Sequence, residues 1–533
     1  MLSPIILPQG AISRASILGL ILCITTALLN RFLRGGKAKK YPAGPKPWPI
    51  IGNMSVFRGI VYDTEATLAW LAKDFGDKVM IWLFSKPFLI VDKLEDAKEL
   101  MDKRGSIFSD RPKPSNFVER VWPCLLPIKP LGDEYRIVRR IYNDLLGPKQ
   151  SQSVRKYQDY ESRMLMRDLY HAPEKFQVIT ERYSMSVIFS AVYGVRIGRL
   201  DYPVIDELFS IMDTMANYIL PGSLLIDYLP FLQRLPECFQ PWLKFADNMH
   251  ARESKFHNGF LNVLKEQIEA GTASYCFGVD VLKLQEKNGL SDEFTLDILK
   301  GVIAAGSETT SSMLQSIFKA LAMNPEAQRK AQEELDRVVG PSRLPHWDDA
   351  PNLPYIRALI KELHRWTPLF ILGVPHASTE EVIYRGYTLP QKTLVMPHVY
   401  RLSRDPDVYQ DPDAFAPERF LGDDLDSYAS AKQSDFRKRD HVNYGWGRRL
   451  CQGIQVAENS IFMQVSRLLW AYNVAPLPDE PLRLEDRLHG IVKKPKPFRL
   501  SITPRSEEAA QVVLQAAKQA VTSLPDADSV VYE

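Results

Sequence analysis

The sequence predicts a mainly α-helical domain with a small β-sheet subdomain, preceded by one N-terminal transmembrane anchor. Long stretches with apolar residues at helical spacing fill the middle of the chain, for example "NGFLNVLKEQIEA" and "PYIRALIKELHRW". Strand-like runs are few and lie towards the two ends, at Lys78–Asp92 and Glu381–Pro397. Because strands and helices do not alternate, the pattern excludes a doubly wound α/β protein.

The predicted anchor is the uncharged segment Ala15–Asn30, "ASILGLILCITTALLN". At ~1.5 Å per residue it spans roughly 24 Å, slightly less than a bilayer core. The uncharged stretch Ser3–Ser13 is a candidate extension, although Pro4, Pro8 and Arg14 interrupt it. A cluster of basic residues follows the segment: Arg31, Arg34, Lys37, Lys39 and Lys40. A cleaved signal peptide carries its cationic end first, so the order favours an anchor with the rest of the chain in the cytosol.

Four regions follow from composition. They are the anchor with its basic flank (1–40), a Pro-rich linker "YPAGPKPWPIIGN" (41–53), one large domain (54–504) and a C-terminal extension (505–533). Prolines and glycines keep the linker from being helical. Within the extension, Ser506–Thr522 is expected to form a last helix.

Charge and cysteine content exclude several classes of protein. A net charge of +3 over 533 residues argues against a nucleic-acid partner. The five cysteines are Cys23, Cys124, Cys238, Cys276 and Cys451. They form no close pairs, which argues against a disulfide framework or a zinc ribbon, and the nine histidines show no metal-ligand spacing.

The segment Leu290–Met323 is predicted to be a buried helix that begins at the N-cap Ser291. Its centre, "VIAAGSETTSSML", places polar residues between apolar flanks. Serine and threonine hydroxyls often bond to the carbonyl four residues earlier, which accounts for the two serines. An acid beside a threonine, close to Gly306, favours a second hypothesis, in which the helix opens locally towards a cavity.

The stretch "YGWGRRLCQGIQVA" (Tyr444–Ala457) places a cysteine at the start of an apolar helix. It is not a dinucleotide loop, because Leu450 stands where the third glycine belongs. A buried structural cysteine and a nucleophilic cysteine are the simpler alternatives, although the nearest histidine in sequence, His441, is ten residues away. A helix start favours a thiolate, so a metal-bound cysteine is the fourth possibility. This fourth possibility fits haem held by one thiolate, with the glycines admitting a flat group and Arg449 meeting its carboxylates.

This stretch resembles the ligand signature of the cytochrome P450 family, Phe-x-x-Gly-x-Arg-x-Cys-x-Gly, with Tyr444 in place of Phe and Gln452 where many members have Pro. Three further motifs follow the family's order: "AGSETT" at Ala305–Thr310, "KELHR" with Glu362 and Arg365, and "FAPERF" with Arg419. The resemblance runs from the Pro-rich linker to about residue 504.

The resemblance implies the cytochrome P450 fold and a role for each matching residue. Cys451 would be the axial ligand of haem (heme) iron, and Thr309 with Glu308 would order water and deliver protons during dioxygen activation. Glu362, Arg365 and Arg419 would form a buried structural ion network. The residues expected to hold the cofactor are Tyr135, Arg139, Gly306, His376, Tyr444, Gly445, Gly447, Arg449 and Gly453. Tyr135 replaces the family's Trp, and for Arg139 an ordinary surface cation is the alternative.

The resemblance also implies partners. Electrons would come from NADPH through a separate cytochrome P450 reductase, with cytochrome b5 as a further donor, in the endoplasmic reticulum membrane. A basic docking face is expected from Arg136, Arg140, Lys432, Arg437, Lys438, Arg439 and Arg448, with scattered solvated charges as the alternative for each. Apolar residues in the regions that would form the pocket point to a lipophilic or aromatic small molecule: Phe117, Val121, Trp122, Leu125, Phe370, Ile371 and Leu372. The residues of these motifs are similar to those of fungal microsomal members that act in secondary metabolism.

Two other functions stay open from the sequence. One is a haem-thiolate isomerase or dehydratase that needs no dioxygen, and the other is a haem-binding protein without catalysis. The intact pair of Glu308 and Thr309 argues against both. A requirement for NADPH and reductase separates the monooxygenase from these two alternatives.

Overall fold

A computed structural model describes residues 39–200, 203–219, 224, 226, 229–488 and 490–523. The predicted anchor at Ala15–Asn30 lies outside these ranges. Among the helices that are described, none is both long and apolar enough to cross a membrane.

Helices dominate, as the sequence predicts. In chain order they are α1 (Met54–Tyr62), α2 (Thr64–Phe75), α3 (Leu94–Lys98), α4 (Gly105–Phe108), α5 (Asn116–Val121), α6 (Asp133–Leu146), α7 (Pro148–His171), α8 (Phe176–Tyr193), α9 (Pro203–Ile219), α10 (Pro241–Glu269), α11 (Phe277–Asn288), α12 (Asp292–Met323), α13 (Pro325–Val338), α14 (Pro354–Trp366), α15 (Val399–Leu402), α16 (Ser427–Ala431), α17 (Ile454–Ala471) and α18 (Glu507–Ser523). A π-helical turn, Glu99–Lys103, follows α3 directly.

The strands form one mixed sheet and two antiparallel pairs. They are β1 (Lys78–Leu83), β2 (Lys86–Val91), β3 (His376–Ala377), β4 (Val382–Tyr384), β5 (Tyr387–Leu389), β6 (Leu394–Pro397), β7 (Tyr472–Pro476) and β8 (Leu500–Pro504). The sheet order is β1-β2-β6-β3, with β2 and β6 parallel and the other neighbours antiparallel. The two strand-like runs seen in the sequence meet through β2 and β6, while β4 and β5 of the second run form a separate antiparallel pair.

The segment predicted as a linker packs along the edge of this sheet. The Met80 backbone N–H donates to the Ala43 carbonyl at 2.8 Å, and the Asn53 side chain accepts from the Trp82 N–H at 2.8 Å. These contacts satisfy β1 groups that would otherwise face water at a sheet edge.

Helix α12 passes through the largest apolar cluster and packs against α8. Its N-cap is Ser291, as predicted, whose hydroxyl accepts from the Phe294 N–H at 3.1 Å. The expected local opening near Gly306 is not present, because α12 is helical throughout. A Cβ on Gly306 would lie 2.8 Å from the Ile188 side chain, so close packing against α8 explains this glycine. Its predicted contact with a cofactor stays a prediction.

The cysteine loop, Tyr444–Gly453, leads into α17 and contacts α6, α14 and the π-helical turn. Gly447 and Arg449 form a short 3₁₀ turn within it. Trp446 anchors the loop in a second apolar cluster that includes residues of the mixed sheet. The loop therefore lies where the helical body and the sheet meet.

Candidate active site

Cys451 is three residues before the first residue of α17. Its N–H donates to the Tyr444 carbonyl at 2.9 Å, which fixes the backbone of the loop. The side chain is exposed although Leu450 and Ile454 are buried, the pattern of a residue that lines an internal cavity. Burial by surrounding protein raises the pKa of the thiol, while the Gly453 N–H and the charge of Arg139 lower it.

Four basic side chains gather near this cysteine, from α6, β3, the loop after α4 and the cysteine loop itself. They are Arg111, Arg139, His376 and Arg449. The positive charge of Arg139 lowers the pKa of Arg111, Arg449 and Cys451, which shows that it lies close to all three. Burial and then Arg449 lower the pKa of Arg111 to about 9. Burial and then Arg111 hold the pKa of His376 well below its usual range.

Arg449 is held by backbone carbonyls but keeps a free donor. Its Nε donates to the Ser109 carbonyl at 2.7 Å and its Nη1 to the Leu126 carbonyl at 3.3 Å. Its guanidinium carbon lies 3.9 Å from the centre of the Tyr135 ring. Among the described residues its Nη2 has no hydrogen-bond partner, although it is buried. A buried cation with a free donor is costly unless an anion meets it.

Tyr135, which replaces the family's Trp, uses its ring for this cation–π contact. Its hydroxyl donates to the Arg448 carbonyl at 3.4 Å. The phenol therefore holds the 3₁₀ turn Gly447–Arg449 of the cysteine loop. The loss of an indole N–H is offset by a contact to the loop that carries the cysteine.

These residues fit haem. The thiol is accessible, and beside it lie the buried cations Arg111 and Arg449. The charge of Asp110 raises the pKa of both, but burial still leaves both pKa values lowered. Two carboxylates on the edge of a flat group would meet the free donor of Arg449 and the charge of Arg139. Sequence reasoning missed Arg111, whose side chain donates to the carbonyls of Pro127, Val374 and Pro375. In the sequence, Arg111 stands out only because Pro112 follows it, and this pair does not indicate that the arginine is buried.

Two of the three glycines of the loop adopt left-handed backbone conformations, and the contact with a cofactor expected of all three stays a prediction. Gly445 has φ +79° and Gly447 has φ +45°, conformations that favour glycine. A Cβ on Gly447 would lie 2.7 Å from the Met101 carbonyl in the π-helical turn. The close approach that Gly447 permits is thus to the protein's own backbone. Gly453 differs again, since its Cβ position has only the Cys451 Sγ nearby, at 3.9 Å.

The acid–alcohol pair lies in a partly accessible segment at the centre of α12. Ala305 is exposed, and Glu308 and Thr309 are half-buried, on a helix buried on either side. The Thr309 hydroxyl donates to the Ala305 carbonyl at 2.6 Å, so its oxygen remains free to accept. Burial, then Asp213, raise the pKa of Glu308 to about 7, against a lowering by Lys494. A carboxyl with this pKa can hold or release a proton near neutral pH.

The structure brings Glu362, Arg365 and Arg419 together. Arg365 donates from Nε and Nη2 to the two Glu362 oxygens at 2.6 and 2.7 Å. Arg419 lies 3.3 Å from Glu362 Oε1. Glu362 and Arg365 are fully buried.

One residue of the expected docking face was placed wrongly. Arg439 is buried and donates to the Gly445 carbonyl at 2.6 Å and the His441 carbonyl at 2.8 Å, so it braces the cysteine loop from inside. The other six basic residues are exposed. A run of charges in sequence did not show which arginine turns inward.

Several residues expected to line the pocket pack elsewhere. Phe117 and Val121 are fully buried against α9 and α10, and Ile371 belongs to the cluster under the sheet. Trp122 and Phe370 are half-buried. The Trp122 indole donates to Glu253 at 2.6 Å, and Glu253 pairs with Lys300 of α12 at 2.9 Å. Polar groups therefore stand close to this otherwise apolar region.

Comparison with known proteins agrees with this geometry. The family model for cytochrome P450 matches residues 42–502. Cytochrome P450 monooxygenase polD of Polytolypa hystricis is 49% identical over 91% of this chain and 94% of its own length. Cytochrome P450 monooxygenases fogE of Aspergillus ruber (32%; 93% and 92%) and virE of Hypocrea virens (35%; 90% and 88%) are also similar. The family match over residues 42–502 and the relative of 49% identity show that the chain belongs to the cytochrome P450 family.

Proposed function

We propose that this cytochrome P450 monooxygenase binds haem through Cys451 and oxidises a lipophilic or aromatic small molecule. The observation that carries the proposal is the accessible Cys451 thiol beside a buried, incompletely balanced cation cluster. Thiolate-bound haem supplies the chemistry of dioxygen activation when it is present. As in the family, its electrons come from NADPH through a reductase.

The chain's own residues bind and orient the cofactor. Arg139 and Arg449 neutralise the carboxylates of the group, with Arg111 adding charge behind them. A bound anion would also raise the pKa of His376, whose Nδ1 already faces the Phe108 carbonyl at 2.7 Å. The Gly453 N–H stabilises the thiolate form of Cys451.

Proton delivery is assigned to Glu308 and Thr309. The Thr309 oxygen accepts a hydrogen bond from water while its hydroxyl proton stays donated to the Ala305 carbonyl. Burial raises the pKa of Glu308 to about 7, so this carboxyl can pass a proton to that water and then take up another proton from solvent. Neither the isomerase nor the non-catalytic alternative would need this pair.

Partners and location are inferred from exposed residues. The six exposed basic residues form the proposed docking face for an acidic reductase surface, or for cytochrome b5. Exposed apolar side chains near the start of the described chain, and before α10, support contact with a membrane: Trp48, Ile50, Tyr62, Phe231 and Phe239. With the anchor at Ala15–Asn30, they favour a single-pass protein of the endoplasmic reticulum with a cytosolic catalytic domain.

The substrate is proposed to be an intermediate of fungal secondary metabolism. Support comes from the half-buried aromatic side chains Trp122 and Phe370, together with the accessible backbone at Ala305.

Spectroscopy of the wild type and of Cys451→Ser tests the assignment. The reduced carbonyl complex of the wild type should show the strongly red-shifted Soret band of thiolate ligation, and the variant should lose it. Retention of that band by Cys451→Ser would remove Cys451 as ligand. Product formation without NADPH and reductase would favour the isomerase or dehydratase instead.

A further inference from the structure

Two residues of the cysteine loop depart from the family's signature, and both make hydrogen bonds that the usual residues cannot. Tyr444 stands in place of Phe. Its hydroxyl donates to Glu458 Oε1 at 2.6 Å, and its carbonyl accepts the Cys451 N–H at 2.9 Å. The phenol therefore fixes the same residue whose backbone holds the cysteine.

Glu458, the residue that Tyr444 contacts, belongs to a hydrogen-bonded cluster. Glu458 of α17 also lies 2.9 Å from His364 Nε2 of α14, and these partners lower its pKa against the effect of burial. The His364 ring stacks on His441, with centroids 4.3 Å apart and planes at 16°. Asn443 donates to the His364 carbonyl at 2.8 Å. The cluster ties the loop to α14 and α17.

A metal site is the other use of such a cluster, since ligand atoms of His364, His441 and Glu458 lie within 4.8 Å of one another. Imidazole lone pairs lie in the ring plane, so two nearly parallel stacked rings cannot direct them at one ion. His364 Nε2 is moreover occupied by Glu458. The geometry favours a hydrogen-bonded clamp.

Gln452 binds the other end of the loop. Its Nε2 donates to the Arg139 carbonyl at 2.9 Å and to the Asn143 side chain, both on α6. Proline, the usual residue, has no donor for these acceptors. Gln452 therefore connects the residue next to the cysteine with the helix that carries Arg139.

We infer that Tyr444 and Gln452 are positioning residues that clamp the cysteine loop at both ends and keep Cys451 bound to iron when the protein is stressed. The inference rests on the proposed role of Cys451. The Tyr444–Glu458 and Gln452–Arg139 hydrogen bonds are half-buried, and the Gln452–Asn143 hydrogen bond is exposed. Losing one should free the loop. Tyr444→Phe removes only the hydroxyl and keeps the ring, which is the part of Tyr444 expected to contact the cofactor.

The test uses the full-length, haem-loaded protein and the variants Tyr444→Phe and Gln452→Ala. The red-shifted band of the reduced carbonyl complex is followed over time in mild urea, and helix content is followed in parallel. Each variant should lose the band about five- to tenfold faster than the wild type, the effect of one hydrogen bond. Helix content should persist while the band is lost, because only the loop has moved.

Matched controls are Tyr428→Phe and Gln455→Ala, which remove the same groups from neighbouring segments outside the clamp. They should behave as the wild type does. In a double-mutant cycle, adding Asn143→Ala to Gln452→Ala should cause less further loss than Asn143→Ala does alone.

The remaining outcomes distinguish failure of the clamp from failure of the proposed Cys451 ligation. Wild-type rates in both variants, or loss of band and helix content together, would overturn the clamp and leave Cys451 as ligand. Absence of the red-shifted band in the wild type would instead refute the proposed ligation itself.

Discussion

Glu308 links the electrostatics of one residue to a pH profile. Burial raises its pKa to about 7, so it is mostly protonated below that pH and ionised above it. We expect NADPH-driven dioxygen consumption, reconstituted with reductase, to fall as pH rises through about 7. Glu308→Gln should slow it about tenfold or more and flatten the profile. Ser311→Ala, on the same helix, is the control and should keep the inflection of the wild-type pH profile. If Glu308→Gln also keeps this inflection, Glu308 is not the titrating group.

Gly447 is the residue where backbone geometry decides stability. Alanine there would adopt φ +45° and approach the Met101 carbonyl at 2.7 Å. We expect Gly447→Ala to lower the free energy of unfolding by about 1–3 kcal/mol. Gly422→Ala is the control, because it has φ +85° and no atom within 4 Å of its Cβ. Equal losses of unfolding free energy in the two variants would show that the contact with Met101 costs nothing.

Among the elements, α12 shows which features a sequence can reveal. Its start at Ser291 and its end before Pro325 are local signals, and the structure agrees with them. The supposed opening at Gly306 was wrong because the missing Cβ accommodates Ile188 of another helix. Whether a glycine weakens a helix or admits a neighbour depends on residues more than a hundred positions away.

Helix α18, expected near Ser506–Thr522, packs a stripe of small residues on α7. Ala517 and Ala520 are buried against Tyr160 and Met164. Ala517→Asp would bury an unpaired charge and should destabilise the protein by about 3 kcal/mol. Thermal unfolding of the haem-loaded protein measures this loss. Gln519→Asp adds the same charge at an exposed position and should change the stability little; equal melting temperatures would mean that α18 is dispensable.

At the scale of the molecule, the order of the motifs was enough to predict the fold. The residues that surround each motif in space could not be predicted from it. Cys451 was identified through its neighbours in sequence, whereas Arg111 acts near it from a distance of 340 residues and carries no local signal. His364 and His441, 77 residues apart, show no metal-ligand spacing, yet their rings stack beside the cysteine loop. Burial of Arg439 likewise depends on the whole fold, because its partners are loop carbonyls.

The buried ion network joins the helical body to the loops that lead to the cysteine. Arg365 of α14 donates to the carbonyls of Ser403, Pro412 and Ala414 as well as to Glu362. Lysine keeps the charge but lacks the planar fork, so Arg365→Lys leaves Glu362 incompletely paired in the core. We expect a loss of about 3–5 kcal/mol, measured by urea unfolding, and less haem retained on purification.

Arg357→Lys is the control for this network, since Arg357 lies on the same helix but pairs with the exposed Asp424. It should cost less than about 1 kcal/mol, as surface ion pairs do. If Arg365→Lys is no worse than Arg357→Lys, charge alone maintains the network. A larger loss, with haem released before the helices unfold, would show that the fork of Arg365 holds the two parts of the molecule in the register that the cysteine loop needs.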